Sequence, residues 1–223
     1  MNLGELITAA RNRLDDKVDP FLWDTSELTQ YINTGIIEAC VRSELILDAR
    51  TPAVCKIDLQ AGQGEYNLHP KVLFIKSATI GTAPRTKIYK ATTPLLFANC
   101  YDFPTGTGVP NYYLLDVGNG RVGVYPIPEA NDEMWFYVSR LPLLPLSDQA
   151  STPEIQEPYH FGLINWVCHE AYLKEDAETK DETKAMKYLS LFELQFGQRK
   201  TAQEIIQQTQ YATSPFSRRS VRG

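Results

Sequence analysis

Glu157-Pro-Tyr-His-Phe-Gly-Leu-Ile-Asn-Trp-Val-Cys-His-Glu-Ala-Tyr-Leu-Lys174, then Thr179-Lys-Asp-Glu-Thr-Lys-Ala-Met-Lys-Tyr-Leu-Ser-Leu-Phe-Glu-Leu-Gln-Phe196, is the stretch whose reading decides the fold. It predicts two helices around a polar elbow. The first runs from about Glu157 through Lys174, with Pro158 where a helix start tolerates a missing N–H. Phe161, Ile164, Trp166, Val167, Cys168, Ala171 and Tyr172 surround it, so it is expected to be buried on more than one side. The elbow, 175–181, ends in Thr179 followed three residues later by Glu182, a pattern that caps a new helix. The second helix sets Ala185, Leu189, Phe192 and Phe196 on one face, with Met186 and Tyr188 alongside. Gly197 marks a kink before Ala202, Ile205 and Ile206 resume the stripe.

The N-terminal region complements this pair. Leu3, Leu6, Ile7, Ala10 and Leu14 predict a short helix, broken over 15–20. Asp24-Thr-Ser-Glu27 opens a second helix, expected to run to about Asp48, with Leu28, Tyr31, Ile32, Ile36, Ala39, Cys40 and Leu45 along its face. Each helix buries one stripe, too little for independence, so the two ends of the chain are expected to pack together.

Between them the period becomes strand-like. Val54, Ile57 and Leu59 precede a turn at 61–64, and Val72–Ile80 forms a longer apolar run. A short strand is expected over 87–90, a helical turn over 93–101 and an exposed, mobile loop over 102–110. Strands at 112–117, 121–125 and 134–141 follow, with Gly118-Asn-Gly120 supplying a hairpin turn. The expected fold class is α+β: N- and C-terminal helices, 1–52 and 147–208, packed as one helical bundle with an inserted small antiparallel β domain at 53–146. Residues 209–223 read as a flexible basic tail.

Composition is that of an ordinary soluble protein, 43% hydrophobic and 22% charged. The start of the chain lacks a signal-peptide pattern, and no apolar run approaches the roughly 20 residues of a membrane span. Cys40, Cys55, Cys100 and Cys168 lack metal spacing and read as buried reduced thiols. The net charge of −5 argues against a general nucleic-acid binder. Its distribution is uneven: residues 1–52 carry nine acids against five bases, whereas those after Gln208 carry Arg218, Arg219 and Arg222 and no acid. Such a chain can meet copies of itself, or a partner, head to tail, and solvated charge with a disordered tail explains the pattern equally well.

No catalytic constellation, metal site or cofactor motif emerges. There is no P-loop or dinucleotide fingerprint, and Gly106-Thr-Gly108 lies between weak elements. Adjacent Cys168 and His169 diverge by about 100° on a helix, which favours a core cysteine beside a rim histidine. Asp176, Glu178, Asp181 and Glu182 read as capping and solvated residues rather than an acid/base pair. Trp135, Phe136 and Tyr137 alternate along one strand and could stack on sugars. The rival reading is a carbohydrate- or wall-binding module that uses these exposed aromatics; retaining hydrolysis would also need two carboxylates about 5 Å apart, and the candidates Asp116, Glu129, Asp132 and Glu133 look like turn residues.

Three local patterns, in order, resemble one family. Leu22-Trp-Asp-Thr-Ser-Glu-Leu-Thr-Gln-Tyr-Ile-Asn33 resembles the first long helix of the head-to-tail adaptor (head-completion, or connector) proteins of tailed bacteriophages. Gly123-Val-Tyr-Pro-Ile-Pro128 with Trp135–Pro142 resembles their paired strands, and Asn165–Val167, Ala171–Leu173, Asp176 and Phe192–Gly197 resemble their C-terminal helices. The resemblance spans most of the chain outside 81–110. It implies a non-enzymatic virion protein of the neck, made in the host cytoplasm and assembled as a homo-oligomeric, dodecameric ring. Its partners would be the portal protein, a downstream tail or nozzle protein and the packaged double-stranded DNA in the channel, with no membrane and no cofactor. It also implies that the C-terminal tail reaches the portal, through Tyr211, Phe216, Arg218, Arg219 and Arg222 of this sequence.

Overall fold

A computed structural model describes residues 1–82, 84–175 and 179–205. In chain order the elements are α1 (Leu3–Leu14), α2 (Thr25–Ser43), β1 (Leu47–Asp48), α3 (Pro52–Cys55), β2 (Lys56–Leu59), β3 (Glu65–Asn67), β4 (Val72–Ile80) and β5 (Thr86–Ala91). There follow α4 (Thr93–Asn99), β6 (Thr107–Gly108), β7 (Tyr112–Leu114), β8 (Arg121–Tyr125), β9 (Ile127–Pro128) and β10 (Asp132–Arg140). A 3₁₀ helix (Glu157–Gly162), α5 (Leu163–Leu173) and α6 (Glu182–Phe196) complete the described part. The fold is mixed α+β. The chain divides into two compact units, one of Met1–Ile46 with Arg140–Lys200 and one built on Leu47–Ser139.

In the first unit the helix starts follow their caps. Asn2 accepts the Glu5 N–H at 2.9 Å, and the Glu5 carboxylate accepts the Asn2 N–H at 3.0 Å. At α2 the Glu27 carboxylate accepts the Asp24 N–H at 3.0 Å. The end of α2 differs from the expectation: it stops at Ser43, because Glu44 turns left-handed at φ 53° and gives its N–H to the Cys40 carbonyl. Leu45 is therefore off the helix.

Trp23, 2% exposed, joins the two chain ends: its indole N–H donates to the Ala171 carbonyl at 3.2 Å, and its ring meets Tyr172 edge-on. Gly35 in mid-α2 has a packing reason, since a Cβ there would lie 3.0–3.2 Å from the Trp166 ring and Cβ. Trp166 is braced behind by Phe192, 5.1 Å away, and by the Arg42 guanidinium.

The expectations for the C-terminal helices need correction at several points. Residues 157–162 form a 3₁₀ helix rather than the first turns of α5, and the tighter winding leaves Phe161 57% exposed instead of buried. On α6, Ala185, Phe192 and Phe196 are buried as the stripe predicts, whereas Met186 is exposed. The cap of α6 is Asp181, whose carboxylate accepts the Lys184 N–H at 2.9 Å; Thr179, the expected cap, is buried. Gly197, at φ 80°, ends the helix.

The second unit is a curled eight-stranded sheet, ordered β1-β10-β4-β5-β7-β8-β3, with β2 also on β10; β6 and β9 form a separate pair. It is not wholly antiparallel as expected. β7 runs parallel to β5 (Tyr89↔Tyr112 to Ala91↔Leu114) and β9 parallel to β6. The cause is the crossover through α4, which returns the chain to the same sheet edge before β7 begins. Val54 lies in the short helix α3, behind Pro52, so β2 opens only at Lys56.

The segment 102–110 also departs from the mobile loop expected. Phe103 packs edge-on against Phe97 and Tyr125, the Tyr125 hydroxyl donates to the Asp102 carboxylate, and Thr107–Gly108 pair with Ile127–Pro128. These contacts lie beside a small core of Ala91, Leu96, Leu114 and Tyr125.

Candidate functional site

The four carboxylates that hydrolysis would need each hold a structural contact. Asp116 accepts the Thr93 N–H at 2.7 Å, at the start of α4. Glu129 accepts the Thr107 hydroxyl at 2.8 Å, and Asp132 accepts the Glu133 N–H at 2.7 Å. Glu133 lies 2.7 Å from the Lys56 ammonium and also accepts the Trp135 indole N–H at 3.1 Å. The hydrogen bond from Lys56 holds the Glu133 carboxyl below its usual range, with the Trp135 bond adding to it. A general acid at neutral pH needs the opposite shift. The arrangement ties β2 to β10.

The cysteines and histidines are structural too. None of the four cysteines is in a disulfide; Cys40, Cys55 and Cys168 are buried, while Cys100 is only half-buried. Burial pushes Cys40 and Cys168 up to about 12, which suppresses the reactive thiolate. His169 is buried rather than on a rim, because its Nδ1 pairs with the Ala185 carbonyl at 2.9 Å across to α6. Among the described residues no group of three His, Cys, Asp or Glu could hold a metal ion, and no helix is long and apolar enough to cross a membrane. In the acidic elbow Asp181 caps α6, and Asp176 and Glu178 lie outside the described residues.

Along β10 the side chains alternate as expected. Met134, Phe136 and Val138 are buried, whereas Tyr137 is exposed and Trp135 half-buried. Trp135 is engaged on its face by the Arg85 guanidinium, 4.1 Å from the ring centroid.

The features that could meet a partner lie elsewhere. Tyr211, Phe216, Arg218, Arg219 and Arg222 lie outside the described residues. The chain leading toward them is fixed as far as Lys200. Arg42 reaches Glu38 at 3.3 Å, Glu193 at 3.4 Å and the Gly197 carbonyl at 3.3 Å. Ser43 donates to the Phe196 carbonyl at 2.6 Å, and Lys200 pairs with Glu44 at 3.2 Å. Residues more than 150 apart in sequence meet here, so no local pattern could announce the clasp.

A second feature missed by the sequence reading is a groove in the sheet unit, about 370 Å³ in volume. β5 pairs with β4 over Ala78–Ile80, and the run Val72–Ile75 ahead of that pairing is half-buried throughout. Four consecutive apolar residues suggest a strand covered on both faces. Their partial exposure became visible only in the fold.

No curated protein matches the chain. The family model described as SU10 adaptor protein matches residues 1–219. That match covers the helical unit, the sheet unit and most of the arginine-bearing end, and it bears out the resemblance to head-to-tail adaptors: the chain belongs to the SU10 adaptor protein family.

Proposed function

We propose that this phage structural adaptor forms a ring at the neck of the virion, docks on the portal protein, extends the DNA channel and links it to the downstream tail protein. The match to an adaptor family over residues 1–219 carries the reading. The division of labour follows the two units. The helices of Met1–Ile46 and Arg140–Lys200 act as one bundle, the scaffold of each protomer, and the sheet unit supplies a second contact surface. The C-terminal segment from about Tyr211 enters the portal, Phe216 serving as an apolar anchor and Arg218, Arg219 and Arg222 as charges. Its composition, three arginines and no acid after Gln208, suits a segment that orders on docking.

Cutting the chain after Gln210 tests the docking step. The shortened protein is expected to keep the circular dichroism and melting behaviour of the full chain while no longer joining portal particles in a pull-down. Undiminished binding would remove the role given to the tail. Substituting Arg218, Arg219 and Arg222 together by Gln separates charge from the Phe216 anchor.

A further inference from the structure

The structure presents an acidic, apolar loop and an apolar groove with basic side chains, on different units. The loop is 15–24. It is held rigid from within: Arg11 and Asp16 form a largely buried ion pair at 2.6 Å, and Asp16 also accepts the Leu22 N–H at 2.9 Å. The Arg11 guanidinium covers one face of Phe21 at 3.7 Å. Yet Val18, Phe21 and Leu22 are 77%, 42% and 47% exposed, beside the exposed acids Asp15, Asp19 and Asp24. A loop ordered in this way loses little conformational entropy when it docks.

The groove is its chemical complement. Leu68, Val72 and Phe74 line it together with His69, Lys76, Lys90 and Arg121, the last paired with Glu65 at 3.0 Å. A volume of about 370 Å³ is within the roughly 300–1,000 Å³ of pockets that enclose an apolar group. Burial lowers the pKa of Lys90, against the raising effect of Asp116, so a further acid brought to the groove would favour its charged form. A nucleic-acid backbone would match the basic side chains but leave the apolar ones unmet.

We propose that the occupant is a second copy of this chain, whose Val18, Phe21 and Leu22 enter the groove while Asp19 and its neighbouring acids face Lys76, Lys90 and Arg121. The contact is heterologous: each copy offers a loop to one neighbour and a groove to the other, the type of interface that closes into a ring when the rotation permits. It rests on the adaptor reading for its setting and names the surfaces that join protomers.

The test places a photo-reactive benzoylphenylalanine at position 21 of the full chain, alone at high concentration and with portal particles, and maps the crosslinked peptides. Copy-to-copy links from position 21 to 68–76 or 115–121 are expected. Links only to other surfaces, or none while rings form on the portal, overturn the contact and leave the adaptor reading standing. If neither rings nor links form on portal particles, both fail. Charge reversal gives a second readout. Asp19→Lys is expected to weaken association about tenfold or more by sedimentation, and Lys76→Asp in the same chain to restore much of it. An Asp19→Lys protein that melts as the parent does and associates equally well also overturns the proposal.

Discussion

The two units of this protein are held together in different ways. In the helical unit a few long elements share large buried side chains: Trp23, Phe192, Phe196, Leu6, Leu28 and Ile32 are all nearly inaccessible. The sheet unit relies on short strands, tight turns and small local clusters such as Ala91, Leu96, Leu114 and Tyr125. Charge separates them as well. Between Leu47 and Ser139 there are eight acids and eight bases, whereas Met1–Ile46 and Arg140–Lys200 together hold 18 acids and 11 bases. One unit is braced by long helices and carries an excess of acids; the other balances acids and bases and depends on strand register.

The most severe break in this contrast is expected at Arg11. Arg11→Met strands the buried Asp16 carboxylate, and losing one partner of a buried pair costs about 3–5 kcal/mol. Phe192→Ala opens the shared helical core at a similar cost of about 3–5 kcal/mol. Leu96→Ala, the matching deletion in the sheet unit, is expected to cost about 2–5 kcal/mol. Denaturant unfolding followed by far-UV circular dichroism and tryptophan fluorescence measures all three. Equal behaviour of Phe192→Ala and Leu96→Ala in both signals would blur the distinction between the units.

Smaller changes sharpen it. Gly35→Ala favours the helix by up to about 1 kcal/mol, but Trp166, braced by Phe192 and Arg42, cannot retreat easily. Overpacking is expected to dominate, for a net loss of about 1–3 kcal/mol in urea melts. Tyr125→Phe removes the hydroxyl bound to Asp102 and should cost about 1–3 kcal/mol. In the same variant, amide exchange over 102–108 should quicken, which a loop free of the sheet would not show.

The mildest effect is one of pH. Glu27 and Glu133 are held below the usual carboxylate range, chiefly by hydrogen bonds from Lys174 and Lys56. Their stabilisation is complete above the unfolded value and fades as pH falls through the lower folded one. The melting temperature should therefore drop on acidification below about pH 4.5, and Glu133→Gln should flatten part of that slope.

Sequence patterns carried most of the helical unit, because a cap and a stripe of period 3.6 are local properties. Asn2-Leu-Gly-Glu5 and Asp24-Thr-Ser-Glu27 start α1 and α2, and Ala185, Phe192 and Phe196 point inward on α6. Local rules failed where two starts competed: Asp181, not Thr179, caps α6, and a 3₁₀ turn displaced the opening of the preceding helix. The acidic front and the arginine-bearing end were likewise plain in composition, and the resemblance to the adaptor family lay in the local motifs of 22–33, 123–142 and the C-terminal helices.

What the sequence by itself determined is thus the kind of element, the sign of charge along the chain and membership of an adaptor family. Tertiary structure alone decided that β7 lies parallel to β5, that 102–110 is pinned to Tyr125, that Arg42 gathers Glu38, Glu193 and Gly197, and that Val72–Ile75 borders a groove. The reason is separation along the chain. Periodicity and capping depend on neighbours three or four residues away, whereas strand pairing, clasps and grooves depend on which distant residues the whole fold brings into contact.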